Sequence, residues 1–152
     1  MSWLDPFFQG GLNNPTDVIL VGALFGTDQN TWTRAGSRVL DLSTGQYPAL
    51  QVGRTRSIAF LADLNISGGA TSVEVRLIDV THGAVLITGC DLVSTSATTV
   101  ELSSGPLTVG GSAGNIRNDV ATIYEVNIRM NGGTPGTDKV FCTNARLTFL
   151  YA

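Results

Sequence analysis

The sequence predicts an all-β fold, a jelly-roll-like antiparallel sandwich of about eight strands behind an extended N-terminal arm. Alternation is the first ground for this. Val73, Val75 and Leu77 alternate with Glu74, Arg76 and Ile78; Tyr124, Val126, Ile128 and Met130 with Glu125, Asn127 and Arg129; Leu147, Phe149 and Tyr151 with Thr148. A period of two buries one face of a strand. Spacing is the second ground, because turn signals at Thr81-His82-Gly83, Ser104-Gly105-Pro106, Gly110-Gly111-Ser112 and Asn131-Gly132-Gly133 fall where a sandwich needs them. Thirdly, no apolar pattern holds helical spacing for long, since glycines and β-branched residues interrupt each candidate. Helix is expected to be nearly absent.

In chain order, residues 1 to 16 form the arm and residues 17 to 152 the sandwich domain. The arm carries Trp3, Leu4, Phe7 and Phe8 before Gln9-Gly10-Gly11 and Asn13-Asn14-Pro15, a density of Gly, Asn and Pro that argues against a regular element. It reads either as a flap over its own sandwich or as a strap onto a neighbour, because an apolar tail left in water invites aggregation. Strands are expected at Asp17–Phe25, Thr31–Leu42, Arg56–Ile66, Ser72–Val80, Ala84–Thr88, Thr98–Leu102 with Leu107–Val109, Val120–Met130 and Lys139–Tyr151. Val75, Leu77, Tyr124, Val126, Ile128, Leu147 and Phe149 are the predicted core. A register slip of one residue would bury Glu125 and Arg129 in their place. The glycine-rich stretches Ser67 to Ala70, Gly110 to Asn115 and Asn131 to Gly136 read as mobile turns, and none has the Lys-Ser or Lys-Thr of a phosphate loop.

Composition narrows the function classes. Of 152 residues 43% are hydrophobic and only 14% charged, against about 25% charged in an ordinary soluble domain. A surface made of Thr, Ser, Asn and Gly favours contact with other subunits over a solitary monomer. Net charge is −3, and the eight Arg and one Lys form no run. Nucleic acid, which needs a clustered positive stripe, is not an expected partner. The Arg bias suits bidentate contacts to carboxylates, within the sheet to Glu74 or Glu125 or across an interface. Asp5 and Pro6 stand where a secretion signal would have its apolar core. The longest apolar run, Val18 to Phe25, is far short of the roughly 20 residues of a membrane helix, so synthesis in the cytoplasm without export is expected. Cys90 and Cys142 allow one bridge, and so low a count in a small fold favours two free, buried thiols.

Chemistry is thinly supplied. The single histidine, His82, falls at a hairpin tip and is expected to be exposed and inert. No Gly-x-Ser-x-Gly elbow and no metal-ligand spacing occurs. Asp28, Asp41, Asp63, Asp79, Asp91 and Asp119 offer carboxylates for glycosidase chemistry, as any chain with 12 acids would. Asp28-Gln29-Asn30-Thr31 is oxygen-rich but lacks the pattern of a calcium loop. Trp32 and Tyr47 are candidates for a sugar platform, with a core role favoured for Trp32. No enzyme activity, metal or cofactor is expected.

Two stretches carry a likeness. Val75-Arg76-Leu77-Ile78-Asp79-Val80-Thr81-His82-Gly83-Ala84-Val85-Leu86, the Ser/Thr-rich Ser94 to Thr99, and Leu102-Ser103-Ser104-Gly105-Pro106-Leu107-Thr108 resemble the middle of a jelly-roll β-sandwich domain of tailed-phage structural proteins. Tyr124-Glu125-Val126-Asn127-Ile128-Arg129 and Asn144-Ala145-Arg146-Leu147 resemble its last two strands. The resemblance spans residues 72 to 151 and implies a capsid decoration or cement protein on the outer surface of a phage virion. Such a protein is usually a homotrimer and has the major capsid protein as its partner. Trp3, Leu4, Phe7 and Phe8 are the candidate partner-binding residues. Similar sandwiches serve as carbohydrate-binding modules and tail adhesins, so carbohydrate is the partner under the alternative reading.

Overall fold

The structure is a computed structural model describing residues 16–43 and 56–151. These residues contain nine strands and no helix: β1 Thr16–Val21, β2 Phe25–Thr27, β3 Thr33–Leu40, β4 Arg56–Ser67, β5 Ser72–Asp79, β6 Val85–Ser94, β7 Val100–Pro106, β8 Thr122–Asn131 and β9 Lys139–Tyr151. The first sheet runs β1-β9-β4-β7 with β2 also on β9, and the second runs β3-β8-β5-β6. Eight of the strands pair antiparallel as nested brackets: β5 with β6, β4 with β7, β3 with β8 and β1 with β9. One long hairpin wound so that its paired strands divide between two sheets is a jelly roll, as the alternation and turn spacing predict.

Three boundaries differ from expectation, each for a local reason. The stretch expected as a single strand from Asp17 splits in two around Gly22, and both halves add to β9. The sixth strand continues past Thr88 to Ser94. A register shift against β5 and Gly89 at φ 87 interrupt its alternation there. Ser104-Gly105-Pro106 lies inside β7 and makes no turn. Ala59 faces Pro106 while Leu61 faces Ser103, so Ser104 and Gly105 bulge from the ladder. Glycine at φ 70 serves a bulge as well as a turn. Ser104 Oγ accepts the Phe60 amide at 2.9 Å, giving that buried N–H a partner at the bulge.

Every predicted core residue is fully buried, and Ile58, Phe60, Leu64, Ile87, Ile116 and Val140 join them between the sheets. Cys90 and Cys142 are free and buried within this core. Burial pushes both thiols up to about 12, so they are protonated and poor nucleophiles at neutral pH.

Two of the glycine-rich loops are held, where sequence suggested mobility. Asp138, buried beside β9, accepts the Gly69 amide on Oδ1 at 2.5 Å and the Thr134 amide on Oδ2 at 2.7 Å. Those two bonds hold its carboxyl below the usual range. Gly68, at φ 66, stands so close to this carboxylate that an added Cβ would run into Oδ1. Gly68→Ala combines a left-handed backbone with that collision. It should lower unfolding free energy by about 1–3 kcal/mol in denaturant titration. A change below about 0.5 kcal/mol would mean that the loop is free to move aside.

Candidate functional site on the outer face of the second sheet

Period two places Glu74, Arg76 and Ile78 of β5 opposite Arg129, Asn127 and Glu125 of β8, all on the face away from the core. Arg34 of β3 and Asp91 of β6 extend the same row, facing Asn127 and Arg76 respectively. The link between β2 and β3 closes over this end of the sheet. Gln29 O accepts the Met130 amide at 2.9 Å, which seats the neighbouring Trp32 on the face. Its ring carries two guanidinium groups, Arg76 and Arg129, each 4.3 Å from the ring centroid. Trp32 is half-buried and outside the hydrophobic core. The expected core role is therefore corrected, because cation–π contact with two arginines places an aromatic ring on a polar face.

Beneath Trp32 the charges interlock. Arg129 directs Nε and Nη2 at Glu74 Oε1, 2.8 and 2.7 Å away, and Asn131 Nδ2 adds a bond of 3.2 Å. Arg76 Nε donates to Asn127 Oδ1 at 3.1 Å, and Asn127 Nδ2 donates to Glu125 Oε2 at 2.8 Å. Arg34 lies 3.8 Å from Glu125. The expected pairing of arginines with Glu74 and Glu125 is thus found. Although these side chains point away from the core, Glu74 is only 8% exposed and Asn127 4%. Burial opposes the charge on Glu74, but contacts with Asp91, Arg129 and Asn131 outweigh it and hold this carboxyl below its ordinary value. Burial and the neighbouring Glu74 push Asp91 the other way, to about 6.

The remaining sequence candidates are scattered. Asp28 accepts Gln29 Nε2 and the Gly136 amide; Asp41 binds Ser43; Asp63 lies 3.4 Å from Arg146; Asp119 is bidentate with Arg117. None of these four joins another in a paired-carboxylate site, and the described residues contain no cluster of three metal-ligating side chains. His82 does sit in the turn after β5, but half-buried, its Nδ1 2.7 Å from the buried Asp79 carboxylate. Its expected exposure is corrected: Asp79 ends β5 facing inward and takes both the His82 amide and its ring, closing the turn. Trp3, Leu4, Phe7, Phe8 and Tyr47 lie outside the described residues. Exposed apolar side chains gather at the far end of the same sheet, where Val39 and Ile123 face each other across β3 and β8, 58% and 42% exposed.

The sequence matches no protein-family profile and no curated protein. Solved structures do share the fold. An infectious bursal disease virus VP2 subviral particle superposes with a TM-score of 0.54 at 10% identity, over 92% of this chain and 33% of the viral one. A mutant VP2 of that virus, in derived T=1 particles, gives 0.53 at 10% identity over 92% and 32%. Its T13 viral particle gives 0.50 at 10% identity, again over 92% and 32%. The likeness is one of fold. This chain spans about a third of the viral chains it resembles. Among the described residues no helix is long and apolar enough to cross a membrane.

Proposed function

We propose that this chain is a non-enzymatic structural protein of a virus particle, a jelly roll that decorates the outer capsid surface and clamps neighbouring subunits. The observation that carries the reading is the two-sheet sandwich held in common with VP2 proteins of virus particles over 92% of this chain. Fold alone never implies function, and two features of the chain add independent support. Its charged fraction of 14% suits a surface that meets other protein, and Val39 and Ile123 offer exposed apolar area for such a contact. The phage assignment rests on the resemblance of residues 72 to 151. Major capsid protein is the proposed partner, a homotrimer the proposed state, and the virion surface the proposed location after synthesis in the host cytoplasm. A carbohydrate-binding module would need a ring face free to stack on sugar. Trp32 is half-buried and its ring is already engaged by two guanidinium groups, which leaves less of it for a sugar.

Trp3, Leu4, Phe7 and Phe8 are the proposed strap. At about 25 cal/mol per Å² their apolar area offers several kcal/mol against a partner, before ordering costs are subtracted. Deleting residues 1 to 12 should leave β circular dichroism nearly unchanged, weaken trimerisation in sedimentation, and reduce co-sedimentation with empty capsids at least tenfold. A truncated chain that trimerises and decorates like the parent would refute the strap. A parent chain that ignores capsids altogether would refute the decoration role.

A further inference from the structure

The outer face of the second sheet changes character along its strands. Beyond the charged rows, Val39 of β3 faces Ile123 of β8, and Val80, which follows β5, donates its amide to Ile123 O at 2.9 Å. Two residues back along β5, Ile78 faces Leu86 of β6. An apolar band thus crosses all four strands at one end of the sheet. Ile78 is buried although it lies outside the sandwich core, whereas Val39, Ile123, Val80 and Leu86 around it are exposed. Exposed side chains in this number make a patch on the order of a few hundred Å². Each partner in a standard interface contributes roughly 800 Å², so the band suits a short apolar segment better than a second sandwich laid flat upon it.

The start of β1 lies at the same end. An added Cβ on Gly36 would run into Leu20 O, and Arg38 Nη1 donates to Ile19 O at 3.4 Å. The edge strands β1 and β3 therefore run antiparallel side by side, and Thr16 lies beside the Val39 end of β3. Ahead of Thr16, Gln9 to Pro15 separate it from Phe8 and can reach up to about 25 Å. Trp3 to Phe8 can cover about 17 Å, against roughly 15 Å for the width of four strands. We propose, on the basis of the strap reading above, that this band is the socket for the arm and takes Trp3, Leu4, Phe7 and Phe8 of a neighbouring copy of this chain. An arm laid on its own sandwich would join nothing. Arm-to-band contact between copies is heterologous, and a heterologous contact that closes makes a ring, as the proposed trimer requires.

Val39→Glu combined with Leu86→Glu, both exposed and on edge strands, sets two charges in the band. Sedimentation of the full chain should then show association weakened about tenfold or more, with β circular dichroism unchanged. Deleting residues 1 to 12 from that variant should add nothing, since both changes break one contact. Association of parent strength in the band variant, with the deletion alone still weakening it, would overturn the socket and leave the strap standing. If neither change weakens association, the strap fails as well. A loss from the band change alone would give the band to a second sandwich and overturn the proposal. A bismaleimide joining Gln9→Cys to Ser37→Cys, exposed beside the band on β3, separates an own arm from a neighbour's without altering either apolar surface. Cys90 and Cys142 are buried away from the reagent. Links between copies support the proposal; a link within one chain, or none, overturns it even where the glutamate variant fails to fold.

Discussion

Phe60→Ala should lower the free energy of unfolding by about 3–5 kcal/mol, the usual range for removing a buried phenylalanine ring. Phe60 is fully buried at the middle of β4, opposite Leu147 of β9. Its amide is held by the Ser104 bulge of β7. Its strand is hydrogen-bonded on both sides, by β9 and β7. The backbone is therefore poorly placed to collapse into the vacated space, which puts the cost toward the upper end of the range. Denaturant unfolding with an unchanged slope would read the loss as stability alone. A cost under about 1 kcal/mol would mean that the two sheets do not meet over this ring.

The second large effect is expected at the face. Arg129→Ala should cost about 1–3 kcal/mol at neutral pH, less than the 3–5 kcal/mol of a fully buried pair because the arginine is itself one-third exposed. Glu74, 8% exposed in the parent, would lose its cation and keep Asn131 beside it. Arg129→Lys should recover only part of the loss, since an ammonium cannot offer the two-pronged contact with Glu74 and the contact with the Trp32 ring together. The pH dependence follows from the sign of the Glu74 shift. Its folded value is lowered, so the stability from its ionisation is present above the unfolded value and disappears as the pH falls through the folded one. The gap between parent and Arg129→Ala should therefore close in acid. An equal gap at pH 3 and pH 7 would assign the whole effect to lost packing.

Alternation alone finds the part of the core carried by β5, β8 and the end of β9. Tyr124, Val126 and Ile128, with Glu125 and Asn127 between them, define one buried face, and a single-residue slip would be prohibitively costly. The outer-face network was half legible. Glu74 and Arg76 visibly share a side of β5, and Asn127 and Arg129 a side of β8, but nothing local sets the register that brings Arg129 to Glu74. Asp91 was hidden because the bulge near Gly89 disguised the strand carrying it. The place of Trp32 is not legible locally, because it depends on how the link before β3 crosses the sheet. That path is fixed by a backbone bond from Met130 to Gln29, which no side-chain pattern records. His82 looked like an exposed tip residue because inward-facing Asp79 cannot be distinguished from a surface acid by type.

The nested pairing of strands also orders the formation of the fold in time. The span to be closed grows from 6 residues at Asp79 and Val85 to 133 at Thr16 and Phe149, a difference of about 3 kcal/mol in loop-closure entropy. The β5/β6 hairpin closes the shortest span and is the least costly to start, and pairs farther out are progressively harder. β9 stands in the middle of its sheet and provides the only ladder partner described for β1 and for β2. Chain emerging in sequence order thus leaves its first two strands waiting, edges unpaired, until residues 139 to 151 arrive to seat them. Any segment attached ahead of β1 acquires a fixed point of departure only at that final step.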